Sequence, residues 1–143
     1  MLELRIVVPG EPVAKGRARL GVVRGHAVAY TPAKTRHYED IVREQAVQQF
    51  GTRQPLRDVA LTLRATFFRG IPASWSKAKR EAALLGTLRP TGRPDLDNMV
   101  KAITDGLNGV AYHDDAQIVE ATVAKFYSLD PRVDVVLSWN AAA

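Results

Sequence analysis

Three aspartates and a lysine gather in a short stretch of this chain: Asp95 and Asp97, then Lys101, then Asp115 fourteen residues further on. Carboxylates set this close repel one another unless positive charge lies between them. A hard divalent cation such as Mg²⁺ takes oxygen ligands, keeps several waters and suits such a set. Ions held in this way activate a water and stabilise the attacking and leaving oxygens of a phosphodiester. A neighbouring lysine can hold a phosphate oxygen or offset developing negative charge. The residue types therefore point to metal-assisted hydrolysis of a phosphate ester.

One helix must position them. Leu96, Met99, Val100, Ile103 and Leu107 recur at helical spacing and predict a buried stripe over residues 96–107. Asp97, Lys101, Asp105 and Asn108 fall on another side, with Asp97 and Lys101 one turn apart. Asp95 follows Pro94 and should sit at or just before the helix start, from where its carboxylate can converge with that of Asp97. Asn108-Gly109 ends the helix, and the short segment Val110-Ala111-Tyr112 can return Asp115 to its side. A purely structural reading explains one aspartate as a helix cap and an Asp97–Lys101 pair. It leaves the second aspartate, Asn98 and Asp115 without a role. His113 beside Asp114 and Asp115 reads as incidental.

The rest of the chain names the partner. Residues 1–94 hold seventeen Lys/Arg against seven Asp/Glu, whereas residues 95–143 hold three against eight. A basic body carrying a local acidic cluster is what an enzyme needs to grip a polyanion and act on one of its phosphates. The basic stretches 11–19 and 87–93 offer Lys15, Arg17, Arg19, Arg89 and Arg93 as DNA contacts. There are no cysteines, which excludes disulfides, thiolate metal sites and a cysteine nucleophile. No apolar run reaches the roughly 20 residues of a membrane span. The first residues alternate like a strand and not like a signal peptide, so a cytoplasmic protein with no membrane contact is expected.

Residues 1–143 read as one small domain. Strands are expected at Leu2–Val8, Val59–Phe67, Gln117–Tyr127 and Val133–Trp139, with a short hairpin around Arg24-Gly25. Helices are expected from Thr31-Pro32 to Phe50, with Tyr38, Ile41, Val42, Ala46 and Gln49 along one face, and from Ser74 to Leu85. The tail Ala141–Ala143 reads as irregular. Elements mixed in this order predict an α/β or α+β fold, a mixed sheet packed with helices.

Pro94-Asp-Leu-Asp-Asn-Met-Val-Lys-Ala-Ile-Thr-Asp-Gly-Leu-Asn-Gly109, followed by His113-Asp-Asp-Ala-Gln-Ile-Val-Glu120, resembles the signature of RusA-type Holliday-junction resolvases. Pro12–Arg19 and Tyr30–Arg36 are similar to phage and prophage members. The resemblance covers nearly the whole chain, and its specific part is residues 93–120. It implies a homodimeric, Mg²⁺-dependent endonuclease, with Mn²⁺ able to substitute, that resolves four-way DNA junctions by paired incisions in recombination and repair. The family's essential carboxylates fall on Asp95, Asp97 and Asp115, and its lysine on Lys101. Asp114 falls beside the ligand position, and Asp105 is placed to pair with Lys101 or a dimer neighbour.

Other readings remain open from sequence. A non-catalytic DNA-binding module would use the aspartates only as caps. A nuclease for flaps or forks would share the same metal chemistry. A phosphatase or glycosyltransferase also uses Asp-x-Asp, but phosphatases place it after a buried strand, whereas here it follows the basic turn Arg89–Pro94.

Overall fold

Alternating apolar residues lay down one sheet, and two helices close over it. The computed structural model describes residues 1–51 and 53–141. Its elements run β1 (Leu2–Pro9), β2 (Arg19–Val23), β3 (His26–Tyr30), α1 (Ala33–Phe50), β4 (Leu61–Gly70), α2 (Lys77–Leu85), α3 (Leu96–Leu107), β5 (Ile118–Ser128) and β6 (Arg132–Trp139). A single 3-10 turn, Asp115–Gln117, leads into β5. The large sheet has the order β1-β6-β4-β5, while β2 and β3 form a separate hairpin. β6 is antiparallel to both β1 and β4. β4 and β5 run parallel because the chain crosses between them through α2 and α3, as parallel neighbours require. The fold is therefore a small α+β domain with a mixed sheet, as expected. No helix among the described residues is long and apolar enough to cross a membrane.

The period-two pattern sets the core. Leu61, Leu63, Ala65 and Phe67 of β4 are buried together with Val133, Val135, Leu137 and Trp139 of β6. Tyr38, Val42 and Ala46 of α1 and Met99, Ala102, Ile103 and Leu107 of α3 join the same cluster. Leu96 and Val100 pack against it half-buried, so the stripe of α3 is as expected but shifted toward Ala102 and Gly106.

Two contacts decide how the helices sit. A Cβ on Gly106 would lie 2.7 Å from Val42 Cγ1 and 2.8 Å from its Cβ, so α3 meets α1 at a distance only glycine permits. Gln49 is exposed and not on the buried face of α1. Its amide accepts from Val7 N at 3.0 Å and donates to Val7 O at 3.2 Å. β1 is an outer strand with no further neighbour, and this amide satisfies part of its open edge.

Several boundaries differ from the sequence expectation, and three of the differences are instructive. Pro32 occupies the cap position of α1 and not its first turn, and Thr35 Oγ1 accepts from Gly16 N at 2.9 Å. α2 starts at Lys77 and not near Ser74, because Ser76 caps it by accepting from Lys79 N. β4 begins at Leu61, two residues late, and continues to Gly70. The last two residues of the expected irregular tail, Ala142 and Ala143, lie outside the described residues.

Gly106→Ala is expected to push α1 from α3 and cost about 1–3 kcal/mol, as overpacking does, read as a lower urea midpoint with an unchanged slope. A neutral or stabilising effect would show that Val42 can move aside and that the contact is not tight.

Candidate functional site

The acidic motif is assembled by three segments: the start of α3, the turn that follows it, and the loop before β2. Asp95 is the N-cap residue of α3 with extended backbone (φ −68°, ψ 142°), yet its side chain makes no capping hydrogen bond. Asp97 lies in the first turn, and both carboxylates are exposed. The capping role that a structural reading assigns to Asp95 is thus not filled.

Lys101 turns away from Asp97. Its Nζ lies 2.8 Å from Asp105 Oδ1 and 3.5 Å from Asp115 Oδ2. Two carboxylates ahead outcompete one behind, so the Asp97–Lys101 pair that spacing permits is not made. Among the described residues no salt bridge engages Asp95 or Asp97.

Asp115 returns to α3 as the short turn predicted. Tyr112 is fully buried, and its hydroxyl donates to Thr104 O at 2.5 Å. His113 N donates to Leu56 O and Leu56 N to Ala111 O, which tie the returning chain to residue 56. Asp114 caps the 3-10 turn: its carboxylate accepts from Ala116 N at 3.0 Å, while Gln117 Oε1 accepts from Asp114 N. The bond from Ala116 N holds the Asp114 carboxyl below the usual range. Gln117 Nε2 also donates to Leu56 O and Val59 O. The Asp-Asp-x-Gln spacing is therefore a locally capped turn that aims Asp115 at Lys101.

Lys15 extends the same charge pattern. Its Nζ lies 2.5 Å from Glu39 Oε1 and 3.1 Å from Asp105 Oδ2, and its backbone N donates to Asn98 O. Glu39, Lys15, Asp105, Lys101 and Asp115 thus alternate in sign across α1, the loop and α3. The Lys101 ammonium is raised, first by its hydrogen bond to Asp105. Burial opposes ionisation of both Asp105 and Lys15. The hydrogen bonds of Lys101 and Lys15 still hold the Asp105 carboxyl low, and those of Glu39 and Asp105 hold Lys15 high.

Of the expected DNA contacts, Arg17, Arg19 and Arg93 line one cleft of about 620 Å³, together with Asp95, Lys34 and Arg69. Lys15 is spent internally. Arg89 lies elsewhere: its Nε donates to Lys125 O at 2.6 Å, and its guanidinium stacks 3.7 Å from the centre of the Phe126 ring. Sequence reasoning missed Lys125, whose Nζ donates to Gly92 O and Pro94 O and so holds the approach to Asp95. A lone lysine inside the otherwise apolar run Val123–Tyr127 is the signal that could have found it. Glu39, Lys34 and Arg69 were missed because nothing local distinguishes them. Among the described residues no three His, Asp or Glu side chains are grouped closely enough to hold a metal together.

Comparison with known proteins finds a family and a relative. The family model described as "Endodeoxyribonuclease RusA" matches residues 9–138. An uncharacterised protein of Bacillus subtilis (strain 168), YqaN, is 39% identical over 136 residues, covering 94% of each chain.

Asp105 stabilises only while ionised, because its folded carboxyl lies below its ordinary value of 3.8. Its contribution is complete above that value and lost as pH falls through the depressed one. The raised lysines lose their share only in strong base. Asp105→Asn should therefore be about 1 kcal/mol less stable than wild type at pH 7, with the gap closing as the solution is acidified. Denaturation curves from pH 2 to pH 7 measure this; a gap independent of pH would make the contacts steric and not ionic.

Proposed function

The chain belongs to the RusA endodeoxyribonuclease family, and on that premise we propose that it cuts branched DNA, four-way junctions foremost, with a divalent cation. The observation that carries the reading is the pair Asp95 and Asp97, exposed carboxylates that no salt bridge engages among the described residues, at the start of the helix that carries Lys101 and with Asp95 lining a basic cleft. A structural role would have spent them as caps or ion pairs.

The donor set fits a hard cation in kind, since Asp95, Asp97 and Asp115 offer only carboxylate oxygens. They form no closed cage among the described residues, and Mg²⁺ completes its shell with waters and phosphate oxygens in any case. When bound there, the metal, Mg²⁺ with Mn²⁺ as substitute, supplies an activated water and offsets charge on the scissile phosphate. The chain's own residues do the rest. Lys101, steadied by Asp105, can turn from Asp115 to a non-bridging phosphate oxygen and stabilise its developing charge. Arg17, Arg19 and Arg93 hold flanking phosphates, which fix register without reading sequence. Lys125 keeps the Gly92–Pro94 carbonyls in place and with them the entry to Asp95.

Paired incision of a junction needs two equivalent sites, which a two-fold homodimer supplies. Such an enzyme would serve recombination and repair in the cytoplasm.

An end-labelled synthetic junction, a flap, a fork and a linear duplex, each in Mg²⁺ or EDTA, test the reading. Wild type should nick the junction symmetrically in Mg²⁺ only, and Asp97→Asn should cut at least about 100-fold more slowly while still binding. Full cleavage by Asp97→Asn would remove it from the site, and equal cutting of flaps and forks would widen the substrate to branched DNA in general. A second measurement concerns the cleft: Arg17→Ala with Arg19→Ala should lower the salt slope of junction binding by about 2. An unchanged slope would take that wall out of the interface.

A further inference from the structure

Beyond Arg19 at its start, the hairpin of β2 and β3 has no use in the chemistry above, and its surface is unusual for a free element. Register pairs Leu20 with Ala29 and Val22 with Ala27, so these four side chains share one face. All four are exposed, Leu20 at 79% and Val22 at 77%. On the other face Tyr30 lies over Gly21, beside Val28 and His26. Arg24 and Gly25 both have positive φ and close a tight two-residue turn. A lone two-stranded hairpin is marginal in water, and a bare apolar plate on it is a cost without a partner.

Charge and position say which partner. Between Pro12 and Tyr38 there are six Lys/Arg and no Asp/Glu. Arg19, the first residue of β2, lines the cleft that holds Asp95. Register puts Arg19 on the face opposite the plate, so the hairpin springs from the basic cleft rim with its apolar face turned the other way, and at about 3.4 Å per residue its five-residue strands are roughly 17 Å long. Two copies meeting through the plate would bring this basic segment, which carries no carboxylate, close to its own counterpart. A polyanion with accessible apolar surface fits better. Continuous duplex covers its base faces by stacking; only a branch or an opened step offers them to apolar side chains.

We infer that the β2–β3 hairpin is a branch-reading wedge: Leu20 and Val22 contact base faces opened at a DNA branch, while Arg19 on the opposite face and Arg24 in the turn hold phosphates of the strands parted by it. This rests on the endonuclease reading above and adds the element that tells branched DNA from duplex.

The test uses the full-length protein in EDTA, where cleavage cannot intervene. Anisotropy measures affinity for a four-way junction and for a duplex of the same sequence, and 2-aminopurine at the crossover reports unstacking. Leu20→Thr with Val22→Thr keeps strand propensity and removes the apolar plate. Its junction-over-duplex preference should fall about tenfold, and its 2-aminopurine rise should vanish. Leu20→Met with Val22→Ile should keep both, provided thermal melts show all three proteins folded alike. A threonine variant that keeps the full preference and signal overturns the wedge, and the endonuclease reading survives. If the threonine variant instead turns a dimer into monomers in sedimentation, the plate is an interface between copies and the wedge is wrong. A wild type with no preference for the junction overturns the wedge, and the cleavage assay decides the endonuclease reading by itself.

Discussion

Carboxylates crowded around one helix are tolerable only where cations alternate with them, and that alternation organises this molecule. Asp105 uses both oxygens, one on Lys101 and one on Lys15. Lys15 in turn reaches Glu39 on α1, and Lys101 reaches Asp115 on the returning chain. Four segments distant in sequence are therefore fixed by one line of charge. Its middle is sheltered, with the Asp105 side chain 20% and Glu39 14% exposed, so pairing there offsets the cost of taking each charge out of water. Gly106, next to Asp105, lets α1 approach closely enough for Glu39 to take part. Close packing and charge pairing here are one constraint.

That line has two omissions, and they are informative. Five aspartates lie between residues 95 and 115. Asp105 and Asp115 are paired with lysine, and Asp114 is consumed as a cap. Asp95 and Asp97 stand at a helix N-terminus, where a capping bond is easily formed, and neither is recruited into an ion pair among the described residues. Local rules left unused at one place, in a chain that obeys them nearby, mark a site kept available for something else. The favourable end of the helix dipole lowers the cost of holding two free carboxylates there.

What was legible in the sequence follows from range. The bounds of α3, the β4 face and the hairpin turn depend on neighbours within a dozen residues, and periodicity and turn chemistry report those; the short turn also foretold the return of Asp115, but not its ties to Leu56 and Val59, 61 and 58 residues from Gln117. The helix starts slipped where two capping sites compete: Ser74 and Ser76 are equivalent on paper, and only Ser76 has Lys79 N within reach. The partners of Lys15, Arg89 and Lys125 were illegible because they lie 24, 36 and 31–33 residues away. A basic residue reads alike in sequence whether it faces solvent, a carboxylate or an aromatic ring. Charge composition identified the cleft side of the molecule, but which cations stay free for a polyanion is a property of the fold.

This division of basic residues bears on how a flexible loop could serve a phosphate. Lys15 is anchored by two carboxylates and by its backbone bond to Asn98 O. Gly16 N is held by Thr35 Oγ1 one residue later. Arg17 and Arg19 therefore leave from a fixed point, with a cleft and not a neighbour in front of them. Ordering a free loop on binding would cost about 1–2 kcal/mol per residue in backbone entropy. A loop ordered beforehand by internal ion pairs avoids most of that cost, and the affinity of its arginines is retained. On the proposed DNA-binding reading, the inward lysine would contribute to polyanion binding without touching the polyanion. Its pairing with Asp105 sets the wall of the cleft and the position of Lys101 from the same carboxylate.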